Sequence, residues 1–229
     1  MPTRFAIYYA PSASDPLWER AAVWLGRDAA TGELIDGAVA GIDRPRLLNL
    51  TQSAGRYGFH ATLKPPMALA DGYSPEQLRD RMRAFADETP SVPLGRLVLA
   101  RLGGFLALVP ETSSEDLQFL AGQVVEQFED FRRPPSLREM ADRAAGGLTE
   151  RQSELLAAYG YPYVFDQFQF HMTLTDRLAE ADMDEIEEAA RTWFGPLLDT
   201  PLVLDRLSLF VEPDTGKLFR RHDDFGLRP

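Results

Sequence analysis

Two of the three histidines in the chain lie in the same five-residue frame. His60 is the second residue of Phe59-His60-Ala61-Thr62-Leu63, and His171 is the second residue of Phe170-His171-Met172-Thr173-Leu174. Each frame places a threonine hydroxyl two residues after an imidazole, whose ordinary pKa of about 6.5 makes it a base or an acid near neutral pH. The two frames therefore predict one shared site that combines two acid–base groups with two hydroxyl donors.

The elements that must position these groups are predicted to be β-strands. Both frames are rich in aromatic, β-branched and apolar residues, a composition typical of strands. Side chains alternate between the two faces of a strand, so His60 and Thr62 share one face, as do His171 and Thr173. A face with this many polar groups does not suit an apolar core and must line water or a ligand. The motif segments lie near 57–64 and 167–175, with the first strand over 57–63 and ending at Lys64-Pro65-Pro66.

The composition is that of an ordinary globular protein. The 229 residues are 45% hydrophobic, which suits one large domain or two packed lobes. The formal net charge of −11 disfavours long nucleic acid as a partner, because such a partner needs a broad basic surface. No cysteine is present, which excludes disulfides and thiolate chemistry. The sequence shows neither a signal peptide nor an apolar run that could span a membrane, so we expect a cytoplasmic protein without membrane contact.

The order of predicted elements is the same in both halves of the chain: a motif strand, a helix and a hairpin. The helix after His60 begins with a capping box, Ser74-Pro75-Glu76-Gln77, and Asp182 is the expected cap of the helix after His171. This duplication predicts a single bilobal domain over 1–229. The predicted helices are 16–26, 74–89, 115–131 and 182–194, the predicted hairpins are 94–101 with 104–109 and 202–211 with 217–221, and a helical insertion covers about 115–158.

Two His-x-Thr frames on strands, one in each half of a duplicated α+β chain, resemble the 2H phosphoesterase superfamily. Its members include cyclic phosphodiesterases and bacterial RNA-ligase-like proteins. The resemblance implies an α+β fold of two pseudo-symmetric lobes, each a mostly antiparallel sheet with outer helices, around a central cleft. The stretch Tyr57-Gly58-Phe59-His60-Ala61-Thr62-Leu63-Lys64-Pro65-Pro66, with Ile7-Tyr8-Tyr9-Ala10-Pro11, is similar to a bacterial branch encoded beside phosphonate-utilisation genes. That branch implies a cyclic ribose phosphate as substrate.

The roles implied by the resemblance agree with the chemistry of the side chains. Opening a cyclic phosphodiester requires a base to activate water and an acid to protonate the leaving oxygen, and His60 and His171 are the candidate catalytic residues. Thr62 and Thr173 are the candidate phosphate-binding residues, because hydroxyls can donate hydrogen bonds to non-bridging oxygens. Lys64 has the same strand parity as His60 and is a further candidate for phosphate binding. We expect neither a metal nor another cofactor, because each frame supplies only one metal ligand.

The residues leave other functions open. The same groups would serve a cyclic phosphodiesterase or ligase acting on RNA termini, or a non-catalytic protein that binds a phosphorylated metabolite. Two matched acid–base groups favour catalysis over binding alone. The motifs do not distinguish the acid from the base, the regiochemistry of ring opening, the particular cyclic phosphate or the oligomeric state. Outside the frames, His222 is expected at the surface, Tyr8, Tyr9 and Tyr57 are expected to pack, and Arg56 and Arg177 are candidates through sequence proximity alone.

Overall fold

Residues 5–10 are all buried, and residues 5–9 belong to the first strand of the main sheet. The structure, a computed structural model, describes residues 3–229. Its strands are β1 (Arg4–Tyr9), β2 (Ala61–Met67), β3 (Val92–Gly95), β4 (Leu97–Leu102), β5 (Phe105–Pro110), β6 (Met172–Thr173), β7 (Leu202–Leu204), β8 (Arg206–Glu212) and β9 (Arg220–Gly226). Its helices are α1 (Pro16–Leu25), α2 (Arg44–Leu50), α3 (Gln52–Tyr57), α4 (Pro75–Glu88), α5 (Glu115–Gln127), α6 (Leu137–Ala144), α7 (Glu150–Tyr159) and α8 (Glu180–Leu198).

Seven strands form one sheet in the order β4-β5-β6-β2-β1-β8-β9, and every neighbouring pair is antiparallel. The strands β3 and β7 form a second sheet. Helices pack against the large sheet, with α5 in contact with β2, α8 with β4, and α4 with both β8 and β9. The predicted α+β fold of mostly antiparallel sheet with outer helices is confirmed.

The two halves of the chain are interleaved in this sheet. The strand β6 carries the second His-x-Thr frame but pairs with β5, which belongs to the hairpin of the first half. The strand β2 carries the first frame and lies on the β1 side of the sheet, toward the β8–β9 hairpin of the second half. The hairpin of the first half thus pairs with a strand of the second half, and the β8–β9 hairpin of the second half pairs with a strand of the first. The two motif strands become direct neighbours at the centre as a result.

The strand β1 supports the centre of the sheet because its side chains are largely apolar and buried. All residues from Phe5 to Tyr9 are buried, and the strand pairs with β2 at one edge and with β8 at the other. The Tyr9 hydroxyl donates a hydrogen bond to the Val203 carbonyl at 3.0 Å, so its polar end is satisfied. A strand that is covered and paired in this way holds the neighbouring motif strand in a fixed position.

The first motif strand begins later than predicted. Tyr57, the predicted first residue of the strand, is instead the last residue of α3, and Gly58 ends this helix with a φ of 84°, which favours glycine. The strand β2 therefore starts at Ala61, and it continues through Pro65 and Pro66, which were expected to end it. These prolines are tolerated because β6 pairs with β2 at Ala61 alone, so no ladder bond to β6 requires their missing N–H groups.

The second motif strand is shorter than its predicted segment, 167–175. Before it, Phe165–Gln167 forms a single 3-10 turn. After it, the Thr175 hydroxyl accepts a hydrogen bond from the Leu106 backbone N–H at 2.9 Å, so a side chain replaces the strand ladder at this point. The regular strand is thus limited to the two residues that follow His171.

The predicted helices are present, with changes at their ends. The helix α4 begins with the predicted capping box at Ser74, and α5 ends at Gln127 rather than near 131. The helix α8 begins at Glu180, so Asp182 lies in its first turn, where it forms an ion pair with Arg46 at 2.9 Å instead of capping the helix. Within residues 3–229, no helix is long and apolar enough to cross a membrane.

Trp24 ties α1 to the second motif, because its indole Nε1 donates to the Leu174 carbonyl at 2.9 Å inside the core. Trp24→Phe removes this donor, so we expect the free energy of unfolding to fall by about 1–3 kcal/mol. Trp193→Phe is the matched control, because its indole donates to the Arg20 carbonyl at a half-buried position, where water can replace the bond. Urea unfolding followed by circular dichroism measures both variants, and equal losses would contradict the role given to Trp24.

Candidate active site

The strands β2 and β6 pair through the middle residue of each His-x-Thr frame. In this antiparallel register His60 lies opposite Thr173, and Thr62 lies opposite His171. Directly opposed residues of such a pair have Cβ atoms about 4.5–5.5 Å apart. The structure therefore brings the four predicted residues together as two His–Thr pairs. In each pair the histidine comes from one frame and the threonine from the other, so we call these the crossed pairs.

The His60 imidazole is held by three neighbours. Its Nδ1 lies 2.8 Å from the Gly58 carbonyl oxygen, and its Nε2 lies 3.2 Å from the Thr62 hydroxyl. Its ring stacks on that of Tyr8, with centroids 3.7 Å apart and an interplanar angle of 19°. Because a carbonyl oxygen can only accept, Nδ1 carries the proton of the neutral ring. The Nε2 of His60 is then the unprotonated nitrogen, and it lies beside the threonine of its own frame.

His171 is fixed by the same kind of bond. Its Nδ1 lies 2.8 Å from the carbonyl oxygen of Gln169, two residues earlier in the chain, as Gly58 is two residues before His60. The ring of Phe105 lies with its centroid 5.9 Å from that of the imidazole. A doubly protonated His171 keeps its Nδ1 bond to the carbonyl while its Nε2–H can give up a proton, so the geometry also suits an acid.

Burial is the main cause that lowers the pKa of His60 from its ordinary 6.5 to about 4. The nearby charge of His171 acts in the same direction, and the hydrogen bond with the Gly58 carbonyl opposes the shift. His60 is therefore neutral at neutral pH, which is the form that a general base requires. The influence of His171 on this pKa also means that the two imidazoles interact electrostatically.

Two adjoining cavities form the cleft, and Thr62, Phe105 and Tyr161 line both of them. His60 lines the larger cavity of about 560 Å³, and His171 lines the smaller one of about 340 Å³. Both volumes lie in or near the range of small-molecule sites. The larger cavity is also lined by Tyr8, Thr173 and the three arginines Arg4, Arg143 and Arg177.

The structure places Lys64 away from this cleft. Its side chain is buried, and its Nζ donates to a carbonyl of α5 and to the Glu129 carboxylate, each at 2.9 Å. Thr62 pairs with Tyr8 and Lys64 pairs with Ile7, so β2 has one more residue than β1 between these two pairs. This irregularity is a β-bulge. The extra residue changes the alternation of side chains, so Lys64 faces α5 while Thr62 faces the cleft. This placement contradicts the prediction that Lys64 binds phosphate.

Of the other residues considered from the sequence, some line the larger cavity and the rest lie outside both cavities. Tyr8, Tyr57 and Arg177 line the larger cavity, whereas Tyr9, Arg56 and His222 line neither cavity. His222 is exposed, as predicted, and its Nδ1 lies 2.9 Å from the Asp223 carboxylate. In the described part of the chain, no three His, Cys, Asp or Glu side chains lie close enough together to hold a metal ion.

The sequence did not identify Arg4, Arg143 or Tyr161 as cleft residues. Arg4 shares its parity on β1 with Tyr8, so strand alternation carried a signal for it. Arg143 comes from α6, within the predicted helical insertion of about 115–158, and Tyr161 comes from the loop that follows α7. No motif or periodicity in that segment connects it to the His-x-Thr frames.

Asp176, which follows the second frame, fixes the helix that precedes the first frame. Its carboxylate accepts hydrogen bonds from the backbone N–H groups of Ser53 at 3.0 Å and Ala54 at 3.2 Å. A carboxylate at the start of a helix is favourable, because it satisfies N–H groups that the helix leaves unpaired. The same helix, α3, ends at Tyr57, so the second frame orients the segment that leads into His60.

Two His-x-Thr frames on adjacent central strands, with their histidines and threonines facing one cleft, are the arrangement that the 2H phosphoesterase resemblance implies. Residues 62–220 match the family model described as "Protein of unknown function (DUF1045)", and the chain belongs to this family.

The chain spans about half the length of the curated relatives it matches. It is 38% identical over 222 residues to a "Ribose 1,5-bisphosphate phosphokinase PhnN" of Janthinobacterium sp. (strain Marseille), covering 95% of this chain and 49% of the relative. It is 34% identical over 219 residues to the protein of the same name from Laribacter hongkongensis (strain HLHK9), covering 95% and 50%.

Solved structures similar to the chain include a phosphoesterase and a LigT. The phosphoesterase is 14% identical, with a TM-score of 0.46 and full coverage of both chains. The E. coli LigT complexed with NADP+ is 13% identical, with a TM-score of 0.44, and the match covers 100% of this chain and 99% of LigT.

The low pKa of His60 can be measured without any substrate. We expect the ring protons of His60 to titrate at about pH 4 in an NMR experiment, because burial disfavours the charged form. His171→Asn should raise this pKa, since it removes a neighbouring positive charge. The exposed His222 is the internal reference and should not respond to that substitution. Titration of His60 at or above its ordinary value of 6.5 would contradict the burial of the imidazole.

Proposed function

We propose that the protein is a metal-independent phosphoesterase that hydrolyses a small cyclic phosphodiester by two-histidine acid–base catalysis. The observation that carries this proposal is the register that sets His60 against Thr173 and Thr62 against His171. Such a reaction needs one neutral and one protonated imidazole at the same cleft. The low pKa of His60 supports an assignment of the two roles, with His60 as the neutral member.

In this mechanism the unprotonated Nε2 of His60 takes a proton from water while the water oxygen forms a bond to phosphorus. His171 carries protons on both nitrogens and donates its Nε2 proton to the leaving ring oxygen as the bond between that oxygen and phosphorus breaks. The product is a phosphate monoester with a free hydroxyl on the same molecule. The hydroxyls of Thr62 and Thr173 donate hydrogen bonds to the non-bridging oxygens, which carry the charge of the transition state.

The proposed substrate is a cyclic ribose phosphate. The curated relatives are named for ribose 1,5-bisphosphate, a phosphorylated pentose, and the similarity of residues 57–66 to the phosphonate-associated branch implies the same class. The larger cavity, about 560 Å³, has the volume of a small-molecule site. The proposal does not include the kinase activity in the relatives' name, since this sequence has no G-x-x-x-x-G-K-[ST] loop for a nucleoside triphosphate.

A nucleotide with a cyclic phosphate at an RNA terminus is the second candidate substrate. The smaller cavity beside His171 is lined by the aromatic rings of Phe105, Tyr161, Tyr163 and Phe168. Unstacked bases bind to such rings in many RNA-binding proteins. The net charge of −11 disfavours an extended strand, so this candidate is limited to the terminal nucleotide.

Substitution of the four crossed residues tests the proposed mechanism. His60→Ala and His171→Ala should each lower turnover by about 10²- to 10⁴-fold, the range for a positioned acid or base. The double variant should lose far less than the product of the two single losses, because the residues act as a unit. Thr62→Ala and Thr173→Ala should lose about 10-fold or more. The measurement is kcat/KM on ribose 1,2-cyclic phosphate, nucleoside 2′,3′-cyclic phosphates and RNA with a cyclic end.

His222→Ala is the control for these variants and should keep the wild-type rate, because His222 lies outside both cavities. Near-wild-type rates in either motif-histidine variant would remove the mechanism from consideration. Tight binding of a cyclic phosphate without turnover would identify a binding protein. A strong preference for RNA ends would favour the second substrate over the first.

The absence of a metal requirement is a separate expectation. Acid, base and anion stabilisation are all assigned to side chains, so turnover should survive treatment with EDTA and dialysis. The measurement is the initial rate before chelation, after chelation, and after the addition of Mg²⁺, Mn²⁺ or Zn²⁺. A rate that EDTA abolishes and a divalent ion restores would contradict the mechanism.

A further inference from the structure

The larger cavity concentrates positive charge in a protein that is acidic as a whole. Its lining includes Arg4, Arg143 and Arg177, and Asp176 is the single acidic residue among the described residues that line it. The Asp176 carboxylate is engaged by backbone N–H groups of α3. A cavity with this balance selects an anionic ligand.

The arginines differ in how their charge is compensated. Arg4 forms an ion pair with Glu212 through its Nε at 2.5 Å, and Glu212, which is fully buried, also binds Arg56. Arg143, in contrast, forms no ion pair with any residue of the described range 3–229. Glu139, one turn earlier on α6, acts on the charge of Arg143 only from beyond ion-pair distance, and its carboxylate accepts hydrogen bonds from Ser136. The charge of Arg143 therefore faces the cavity without a carboxylate in contact, which costs free energy unless a ligand supplies an anion.

Arg143 is nevertheless held in place. Its guanidinium donates hydrogen bonds to the carbonyl of Gly160 and, at 3.4 Å, to that of Pro66. It also lies over the ring of Tyr161, 5.8 Å from the centroid. A guanidinium has five N–H donors, so these two bonds leave donors for a ligand. An ordered cation with free donors in a fork geometry is the usual partner of a phosphate group.

The anchor of Arg143 is separate from the proposed catalytic phosphate position. Pro66 lies four residues beyond Thr62 on β2, which corresponds to roughly 13 Å along an extended strand. Hydrogen bonds to phosphate oxygens are about 2.7–3.2 Å long, so one phosphate cannot easily contact both ends of this stretch. The volume of about 560 Å³ leaves room for a pentose between two anionic groups.

We propose that Arg143 binds a second, distal phosphate of the substrate, so that the preferred substrate is the cyclic phosphodiester of a sugar that also carries a phosphate monoester. This inference rests on the proposed phosphoesterase function. It adds a specificity-determining residue outside the two frames and assigns a binding role to the helical insertion. The ribose 1,5-bisphosphate in the relatives' name is likewise a pentose with two phosphates.

The test compares two substrates, ribose 1,2-cyclic phosphate and the same molecule with a 5-phosphate. The wild-type protein should favour the 5-phosphorylated substrate by about 10- to 100-fold in kcat/KM, as expected for one charge-assisted contact. Arg143→Gln should lose this preference, because its KM should rise far more for the phosphorylated substrate than for the other. Arg143→Lys should keep part of the preference, because it keeps the charge without the fork.

Arg138→Gln is the matched control, because Arg138 lies on the same helix, α6, with its side chain 92% exposed. It should behave as the wild type on both substrates. An equal loss on both substrates in Arg143→Gln would indicate a structural role and overturn the inference. Equal use of the two substrates by the wild-type protein would overturn it without any variant, even if Arg143→Gln failed to fold. Hydrolysis of neither substrate by the wild-type protein would instead reject the proposed function.

Discussion

The backbone pairing of Ala61 with Met172 is the constraint on which the rest of the site depends. Both side chains are fully buried, so both must face the core, and strand alternation then turns the flanking His and Thr residues toward the cleft. A slip of one residue would exchange the two faces and turn the imidazoles away from the cleft. The strands β1 and β5 pair with the outer edges of β2 and β6 and hold this short contact in register.

The duplicated frames are not equivalent in the folded protein. His60 stacks on the buried Tyr8 and lies at the larger cavity, whereas His171 lies near Phe105 at the smaller one. Two frames that differ only at their middle residue, Ala61 or Met172, therefore give two imidazoles with different surroundings, and burial lowers the pKa of His60 so that it is neutral near neutral pH. An acid and a base can thus arise from one repeated motif, because the environment sets the protonation state.

The sequence was sufficient for the fold class, the frames and most helices, since these depend on local patterns such as capping boxes and strand composition. It failed where long-range contacts decide the structure. Lys64 follows the parity of His60 in the sequence, but the bulge opposite β1 reverses its direction. Arg143 enters the cleft from an insertion with no motif of its own. The strand predicted to begin at 57 begins at Ala61, and Tyr57 instead ends α3, which Asp176, far away in the chain, holds in place.

The interleaving of the two halves has a consequence for how the chain folds. In ordinary repeat proteins each unit contacts only its neighbours and can form locally. Here the first half leaves the β5 edge open until β6 is available, and the β1 edge waits for β8. Contacts of such long sequence separation slow folding, and the exposed edges are sites for wrong pairing in the meantime. The duplicated halves thus share one sheet, and the central strands of each half are completed by strands of the other.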